Sequence, residues 1–197
     1  MTNIIIAGVG GQGVLLASRV LMEAALQSGY DVKESEIHGM AQRGGSVDCH
    51  IRLGDDVASP LIPKGTADFI LGFEICETVR KADYLKQNGC LLVNNYRIMP
   101  SSVQNGTAEY PEDLENWIAE NFDNYQLVEA DKAARKLESK KCLNIFLLGV
   151  LAEYLDIQEA VWNAALKKLI KEQYLDLNMK AFSLGRDEAF HYEDSKT

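Results

Sequence analysis

The sequence predicts an α/β fold, with a Rossmann-like and mostly parallel sheet flanked by helices and a helical C-terminal third. Three observations predict it. An apolar segment over 3–7 leads through a glycine loop into a segment of helical periodicity. Further apolar segments alternate with helical ones up to residue 94, as in right-handed strand–helix–strand units. From residue 143 onward, helical patterns follow one another.

The first elements are a strand, a helix and a second strand. Asn3–Ala7 contains three consecutive isoleucines, which indicates a buried strand. Val14–Gln27 repeats apolar residues at helical spacing, and Ser28 with Gly29 ends that helix. Asp31–Glu36 is the predicted second strand.

The next strand has one apolar and one polar face. Across Ser46–Leu53, apolar side chains alternate with Asp48, His50 and Arg52. Such a strand lies at a sheet edge or in an antiparallel pair. Its polar face is expected to meet solvent or a subunit interface.

The remaining elements complete one domain. Strands are predicted over Asp68–Phe73, Cys90–Asn94 and Gln126–Glu129, and helices over Glu77–Leu85, Pro111–Glu120, Leu143–Leu155, Glu159–Lys171 and Leu175–His191. Gly185 is expected to weaken the last of these helices. Because no repeat, low-complexity stretch or linker interrupts the pattern, we predict a single domain over 1–197.

The charge argues against two classes of partner. The chain has 29 acidic and 20 basic residues, a formal charge of −9, and no run of Lys and Arg interrupts this balance. Binding to nucleic acid or to an anionic membrane is therefore not expected. No apolar run approaches the ~20 residues that span a bilayer, and the N-terminus does not resemble a signal peptide, so we expect a cytoplasmic protein.

Isolated reactive side chains offer little chemistry. The four cysteines are Cys49, Cys76, Cys90 and Cys142. Their separations of 27, 14 and 52 positions contain no C-x-x-C, so we predict buried, inert thiols and neither a metal site nor a cluster. Glu74 and Glu77 are predicted to lie in a solvated helix start, and His50 to be structural or solvated. No catalytic residue is predicted.

The first candidate site is a glycine loop. It consists of Gly8, Val9, Gly10, Gly11, Gln12 and Gly13. The loop fits G-x-G-x-x-G, follows a strand and opens a helix, which is the context of the dinucleotide fingerprint. Glu36 stands 23 residues after Gly13, close to where that fingerprint places an acid. This pattern favours NAD or a flavin nucleotide; the alternative is that the glycines only let strand and helix pack closely.

The second candidate site is the loop after the second strand. Its candidate residues are Glu36, His38, Gln42, Arg43, Gly44 and Gly45. In a Rossmann-like sheet this loop reaches the ligand crevice. Arg43 beside two glycines offers a bidentate fork to a phosphate or carboxylate. The alternative is a solvated turn with an ion pair.

Together, the two loops resemble those of the gamma-type subunits of 2-oxoacid:ferredoxin oxidoreductases. The resemblance covers nearly the whole chain, and its later matches are Ser59–Pro63, Gly65, Ala67, Asp68, Glu74, Glu77, Arg80, Gly89, Val93, Asn94, Asn144, Leu148, Gly149, Asn178, Ala181 and Phe182. The sequence over 38–45 is most similar to the beta subunits of indolepyruvate oxidoreductases. Gamma subunits for pyruvate or 2-oxoglutarate are the alternative.

The resemblance implies an oxidative decarboxylation of arylpyruvates, with coenzyme A as acyl acceptor and ferredoxin as electron acceptor. Thiamine diphosphate, magnesium and iron–sulfur clusters perform that chemistry. This chain has no cysteine cluster, and Gly54-Asp55-Asp56 fails at the third position of the Gly-Asp-Gly that begins a thiamine diphosphate motif. The cofactors are therefore expected on a larger partner subunit, and none on this chain alone.

The resemblance also implies a role for the two loops. They are expected to complete a coenzyme A site or a partner site. The isolated chain is expected to be inactive, and the surface meant for the partner offers a route to a homodimer. Two hypotheses from other classes remain: a stand-alone NAD-dependent dehydrogenase, and a purely structural subunit with a vacant glycine loop.

Overall fold

The computed structural model describes residues 1–38 and 44–194, and this part of the chain forms six strands and eight helices. The strands are β1 (Thr2–Val9), β2 (Asp31–His38), β3 (Ser46–Gly54), β4 (Ala67–Gly72), β5 (Leu85–Asn94) and β6 (Tyr125–Val128). The helices are α1 (Val14–Gln27), α2 (Ile75–Arg80), α3 (Ser101–Gln104), α4 (Leu114–Asn121), α5 (Ala130–Leu137), α6 (Leu143–Ala152), α7 (Glu159–Leu169) and α8 (Glu172–Asp194). A 3₁₀ turn over Ala82–Tyr84 follows α2.

The six strands form one mixed sheet in the order β2-β3-β1-β4-β5-β6. β1, β4, β5 and β6 are parallel neighbours, whereas β3 runs antiparallel to both β1 and β2. Five of the six strands therefore point the same way, and the predicted mostly parallel α/β fold is confirmed. The antiparallel pairing predicted for β3 is confirmed as well.

The position of β3 changes the expected surroundings of Glu36. In a Rossmann arrangement the second strand would lie beside β1. Here Cys49 of β3 pairs with Glu36 on one side and with Ile6 on the other. Glu36 is thus two strand spacings, roughly 10 Å, from β1. Glu36 therefore does not hold the place beside β1 that the acid of the dinucleotide fingerprint has in a Rossmann arrangement.

The helices cover both faces of the sheet. α1, α5, α6, α7 and α8 pack on one face, and α2 and α4 pack on the other. α6 is buried almost all round, since Asn144 and every residue from Ile145 to Ala152 are buried. Its apolar sequence is therefore that of a central helix.

A close crossing of α6 and α8 explains Gly185. A Cβ added to Gly185 would lie 2.0 Å from the carbonyl oxygen of Phe146, and one added to Gly149 would lie 2.2 Å from that of Phe182. The two glycines let the helix backbones touch. α8 continues without a break through Gly185, and the absence of a side chain there permits the close packing of α8 against α6.

The polar face of β3 is covered by the chain itself. The side chains of Asp48 and His50 are both only 3% exposed. Lys81 Nζ lies 2.7 Å from Asp48 Oδ1, and His50 Nε2 lies 3.3 Å from Asp48 Oδ2. The backbone N–H of Ile62 donates to His50 Nδ1. The expected exposure of this face to solvent or to a subunit interface is therefore wrong for these two residues.

The environment of Asp48 favours its ionised form. Burial by itself raises the pKa of this carboxyl, but hydrogen bonds from His50 and Lys81, with the charge of Lys81, hold the pKa below its ordinary value. The cluster is a buried ion pair within the fold.

Glu74 sets the start of α2. Its carboxylate accepts a hydrogen bond from the backbone N–H of Glu77 at 2.8 Å, which caps the helix. The same carboxylate accepts from the hydroxyl of Tyr110 and from the backbone N–H of Ile98. Glu74 is 1% exposed and Glu77 is 5% exposed, so the predicted solvated helix start is wrong. The cap also explains why α2 begins at Ile75, two residues before the predicted start.

None of the helices in the described ranges is long and apolar enough to cross a membrane.

Candidate functional site

A cavity of about 620 Å³ opens at the edge of the sheet where parallel strands end. Val9 ends β1, Phe73 follows β4 and Asn94 ends β5, and all three line it. Ligands of open α/β sheets bind at this edge, and the volume suits a nucleotide-sized group. The remaining lining residues are Gly10, Gly11, Gln12, Gly13, Leu16, Gly44, Tyr96, Ile98, Asp131, Lys140, Lys141, Leu143, Asn144 and Leu147.

The glycine loop has a backbone that needs glycine at two positions. Gly11 has φ 104° and Gly13 has φ 82°, both in the left-handed region. A Cβ on Gly13 would also lie 2.6 Å from Asn144 Nδ2, which donates a hydrogen bond to the Gly13 carbonyl oxygen at 3.3 Å. Gly13 therefore fixes the start of α1 against the start of α6.

One residue of the predicted site, Gln12, braces the loop with its side-chain amide. Gln12 Oε1 accepts from the backbone N–H of Val9 at 2.7 Å, and its Nε2 donates to the carbonyl oxygen of Phe73 at 2.9 Å. Its amide thus ties the ends of β1 and β4 together. Gly8 does not line the cavity, and a Cβ there would lie 3.0 Å from Phe73 Cβ.

The two predicted loops meet. The backbone N–H of Gly10 donates to the carbonyl oxygen of Gly45 at 2.9 Å, and Gly44, with φ 73°, lines the cavity. Gln42 and Arg43 lie outside the described residues, as does the side chain of His38. Glu36 is exposed on β2 and does not line the cavity.

Two helices begin at this cavity. α1 starts from Gly13, and the first turn of α6 contributes Leu143 and Asn144 to the lining. Neither helix has a side-chain cap or an acidic residue in its first turn. The positive ends of two helix dipoles are therefore turned toward one cavity, which favours an anionic ligand.

The charged rim of the cavity was not predicted from the sequence. Lys140 and Lys141 line it, and Lys140 Nζ lies 3.0 Å from Asp131 Oδ1 and 5.8 Å from the ring centre of Tyr96. The hydrogen bond with Asp131, followed by their charge attraction, raises the pKa of Lys140. A signal was present, because five of the ten residues over 132–141 are basic in a chain of charge −9. The prediction that no basic run interrupts the acidic balance is therefore wrong for 132–141.

The cysteines lie apart from this site. All four are buried and none forms a disulfide, as predicted for inert thiols. Burial raises the pKa of the Cys49 thiol to about 12, and burial also raises the pKa of Cys76 and of Cys142. Within the residues described, no group of three or more His, Cys, Asp or Glu side chains is arranged to hold a metal ion.

Residues 3–188 match the model of the pyruvate ferredoxin/flavodoxin oxidoreductase family. The indolepyruvate oxidoreductase subunit IorB of Archaeoglobus fulgidus is 39% identical over 192 residues, which cover 95% of this chain and 94% of that protein.

Two solved structures share the fold. The gamma subunit of a keto/oxoacid ferredoxin oxidoreductase from Geobacter sulfurreducens superposes with a TM-score of 0.72 at 23% identity, covering 97% of this chain and 99% of that one. The 2-oxoglutarate:ferredoxin oxidoreductase of Magnetococcus marinus, solved with 2-oxoglutarate, coenzyme A and succinyl-CoA bound, superposes with a TM-score of 0.73 at 21% identity. It covers 96% of this chain but only 31% of that one.

The family match, the IorB relative and the shared fold lead to one conclusion: this chain belongs to the pyruvate ferredoxin/flavodoxin oxidoreductase family.

Proposed function

We propose that this chain is the small subunit of an indolepyruvate:ferredoxin oxidoreductase, and that its cavity holds the phosphorylated part of coenzyme A. The observation that carries the site assignment is the meeting of the glycine loop with two uncapped helix starts at one cavity. The full-length similarity to IorB supports indolepyruvate as the substrate of the complex.

A larger partner subunit follows from the same proposal. In the Magnetococcus oxidoreductase, the region equivalent to this chain makes up about a third of a longer polypeptide. The rest of the reaction machinery here would reside on a separate chain. That partner would bind thiamine diphosphate with magnesium and the iron–sulfur clusters, and pass electrons to ferredoxin.

The residues of this chain do not fit those redox cofactors. The four cysteines are buried and dispersed, and the described residues hold no cluster of metal-ligating side chains. In this proposal the redox steps take place on the partner. Its role is to bind and orient the acyl acceptor with backbone N–H groups and helix ends, so that the thiol reaches the partner's reaction centre.

Coenzyme A binding provides the test of the site. Gly13→Ala places a side chain at φ 82° and against Asn144, so the loop must shift away from its anion-binding form. We expect the Kd for coenzyme A to rise about tenfold or more, the loss expected for one hydrogen bond to a charged group. The Kd is measured by calorimetry on the full chain, and the KM for coenzyme A in the assembled complex.

Gly29→Ala is the matched control. Gly29 has φ 88° but lies at the end of α1, outside the cavity, where an added Cβ would meet open space. It carries the same backbone strain, so it should lower the melting temperature without changing the Kd. An unchanged KM for coenzyme A in the assembled complex that carries Gly13→Ala would favour a purely structural subunit, and an unchanged Kd of the chain alone would place coenzyme A away from the glycine loop.

Co-expression tests the partner. The chain should co-purify with a larger subunit that carries iron–sulfur clusters, and turnover of indolepyruvate should require both. Robust oxidoreductase activity of the chain alone, or micromolar NAD binding, would contradict the proposal. The NAD alternative has lost one of its two supports, because β3 separates Glu36 from β1.

A further inference from the structure

The cavity rim carries basic side chains in addition to the backbone N–H groups of the glycine loop. Among the described residues, the charged side chains that line the cavity are Asp131, Lys140 and Lys141, which sum to +1 in a chain of net charge −9. A neutral ligand would gain nothing from this local reversal of sign. The rim therefore points to an anionic group of the ligand in addition to the one at the helix starts.

Local structure holds the two lysines beside the cavity. Glu138 ends α5 in the left-handed region at φ 53°, and Ser139 Oγ accepts a hydrogen bond from the backbone N–H of Lys141 at 3.2 Å. α6 then begins at Leu143, and its Asn144 is bonded to the glycine loop. The lysines thus lie directly before the helix that is joined to the first anion-binding element.

The ion pair of Lys140 is easily exchanged. Its side chain is 69% exposed and that of Asp131 is 37% exposed, so the pair contributes little to stability. Lys141 is exposed and has no carboxylate partner within the described ranges. A phosphate carries more charge than Asp131 and offers three acceptor oxygens, so it would replace that carboxylate at Lys140 and engage Lys141 as well.

The aromatic and apolar side chains of the lining indicate a further, non-phosphate part of the ligand. The ring of Tyr96 lies under the ammonium group of Lys140, and Phe73, Leu143 and Leu147 supply an apolar wall. An aromatic base with a phosphate beside it fits such a surface. A ligand with two separated phosphate groups around an adenosine would satisfy both ends of the site.

We propose that Lys140 and Lys141 bind the 3′-phosphate of coenzyme A, and that Asp131 occupies Lys140 until this phosphate arrives. The inference rests on the proposed function, in which the diphosphate of coenzyme A lies at the glycine loop. It adds the residues that distinguish coenzyme A from its analogue without the 3′-phosphate.

The test compares coenzyme A with 3′-dephospho-coenzyme A. Calorimetric Kd values are measured for both ligands with the full chain, and KM values with the assembled complex. Wild type should prefer coenzyme A by about tenfold or more, since charge-assisted hydrogen bonds to the phosphate are lost in the analogue. The double variant Lys140→Ala/Lys141→Ala should lose this preference while its affinity for the analogue stays within about twofold.

Two further variants make the test specific. Lys132→Ala/Lys136→Ala removes the same charge from the same basic segment, but neither residue lines the cavity, so the preference should remain. Asp131→Asn removes the competitor and should increase the preference about two- to fivefold, the range of an exposed ion pair. Opposite effects at Asp131 and at the lysines are not expected from a merely structural role.

Failure of this inference and failure of the proposed function give different results. Equal affinity of wild type for the two ligands would overturn the inference and leave the proposed function intact. A preference that survives Lys140→Ala/Lys141→Ala would do the same. Wild type that binds neither ligand, as isolated chain and as complex, would overturn the coenzyme A site itself.

Discussion

Gly185→Ala is expected to destabilise the protein by about 3 kcal/mol, the upper part of the range for overpacking a core. Helix propensity predicts the opposite sign, because alanine in a helix interior is about 1 kcal/mol more favourable than glycine. The added methyl would lie 2.0 Å from the carbonyl oxygen of Phe146. Since that oxygen belongs to the backbone of α6, a side-chain rotation cannot relieve the clash and the helices must separate.

Thermal unfolding measures the effect. A loss of this size should lower the melting temperature by roughly 6–12 °C in a chain of this length. Gly149→Ala, on the facing helix, should act in the same direction, because its Cβ would lie 2.2 Å from the carbonyl oxygen of Phe182. Ser183→Ala is the control, since Ser183 lies exposed on α8 and alanine only improves its propensity. A Gly185→Ala variant as stable as Ser183→Ala would contradict the close crossing of α6 and α8.

Lys81→Met is expected to cost about 3 kcal/mol at neutral pH, since it leaves Asp48 buried without its cation. Asp48 is 3% exposed, and apart from Lys81 the group that faces it is His50. Lys33→Met is the control: both partners of the Lys33–Asp31 pair are partly exposed, so its loss should lower stability far less than Lys81→Met. The double variant Asp48→Asn/Lys81→Met should recover part of the loss, because no buried charge remains.

The pH dependence gives this prediction a second measurement. In wild type the pKa of Asp48 is lowered in the folded state, so its stabilising effect is present at neutral pH and is lost as the pH falls through that pKa. In Lys81→Met, burial raises the pKa of Asp48 above its unfolded value, so protonation stabilises the variant. The stability difference between the two proteins should therefore narrow from pH 7 to about pH 4. A constant difference would show that Lys81 acts through packing alone.

Much of the fold could be predicted from sequence patterns within single segments. The bounds of α1 agree with the prediction because the glycine before it and Ser28 after it are sequence signals at its two ends. The alternation of β3 predicted its antiparallel pairing. By contrast, α5 was not predicted, because only three of its eight residues are buried and its sequence is dominated by charge.

The sequence singled out only part of the residues that line the candidate site. Gly10, Gly11, Gln12, Gly13 and Gly44 line the cavity, whereas Gly8 and Glu36 do not. Lys140 and Lys141 were not singled out, because their significance depends on Asn144 reaching Gly13 across 131 positions of sequence. Likewise, nothing in the sequence near Glu36 reveals that β3 enters the sheet between β2 and β1.

The sequence by itself determined the fold class, the glycine loop that opens α1 and the family to which the chain belongs. These depend on residues that are close along the chain, where periodicity and backbone freedom act directly. Only the tertiary structure decided that Asp48 and His50 are buried, that Gly149 and Gly185 bring two helices together, and that a basic rim joins the glycine loop. Each of these is a contact between segments far apart in sequence, and such contacts are fixed by how sheet and helices pack rather than by local pattern.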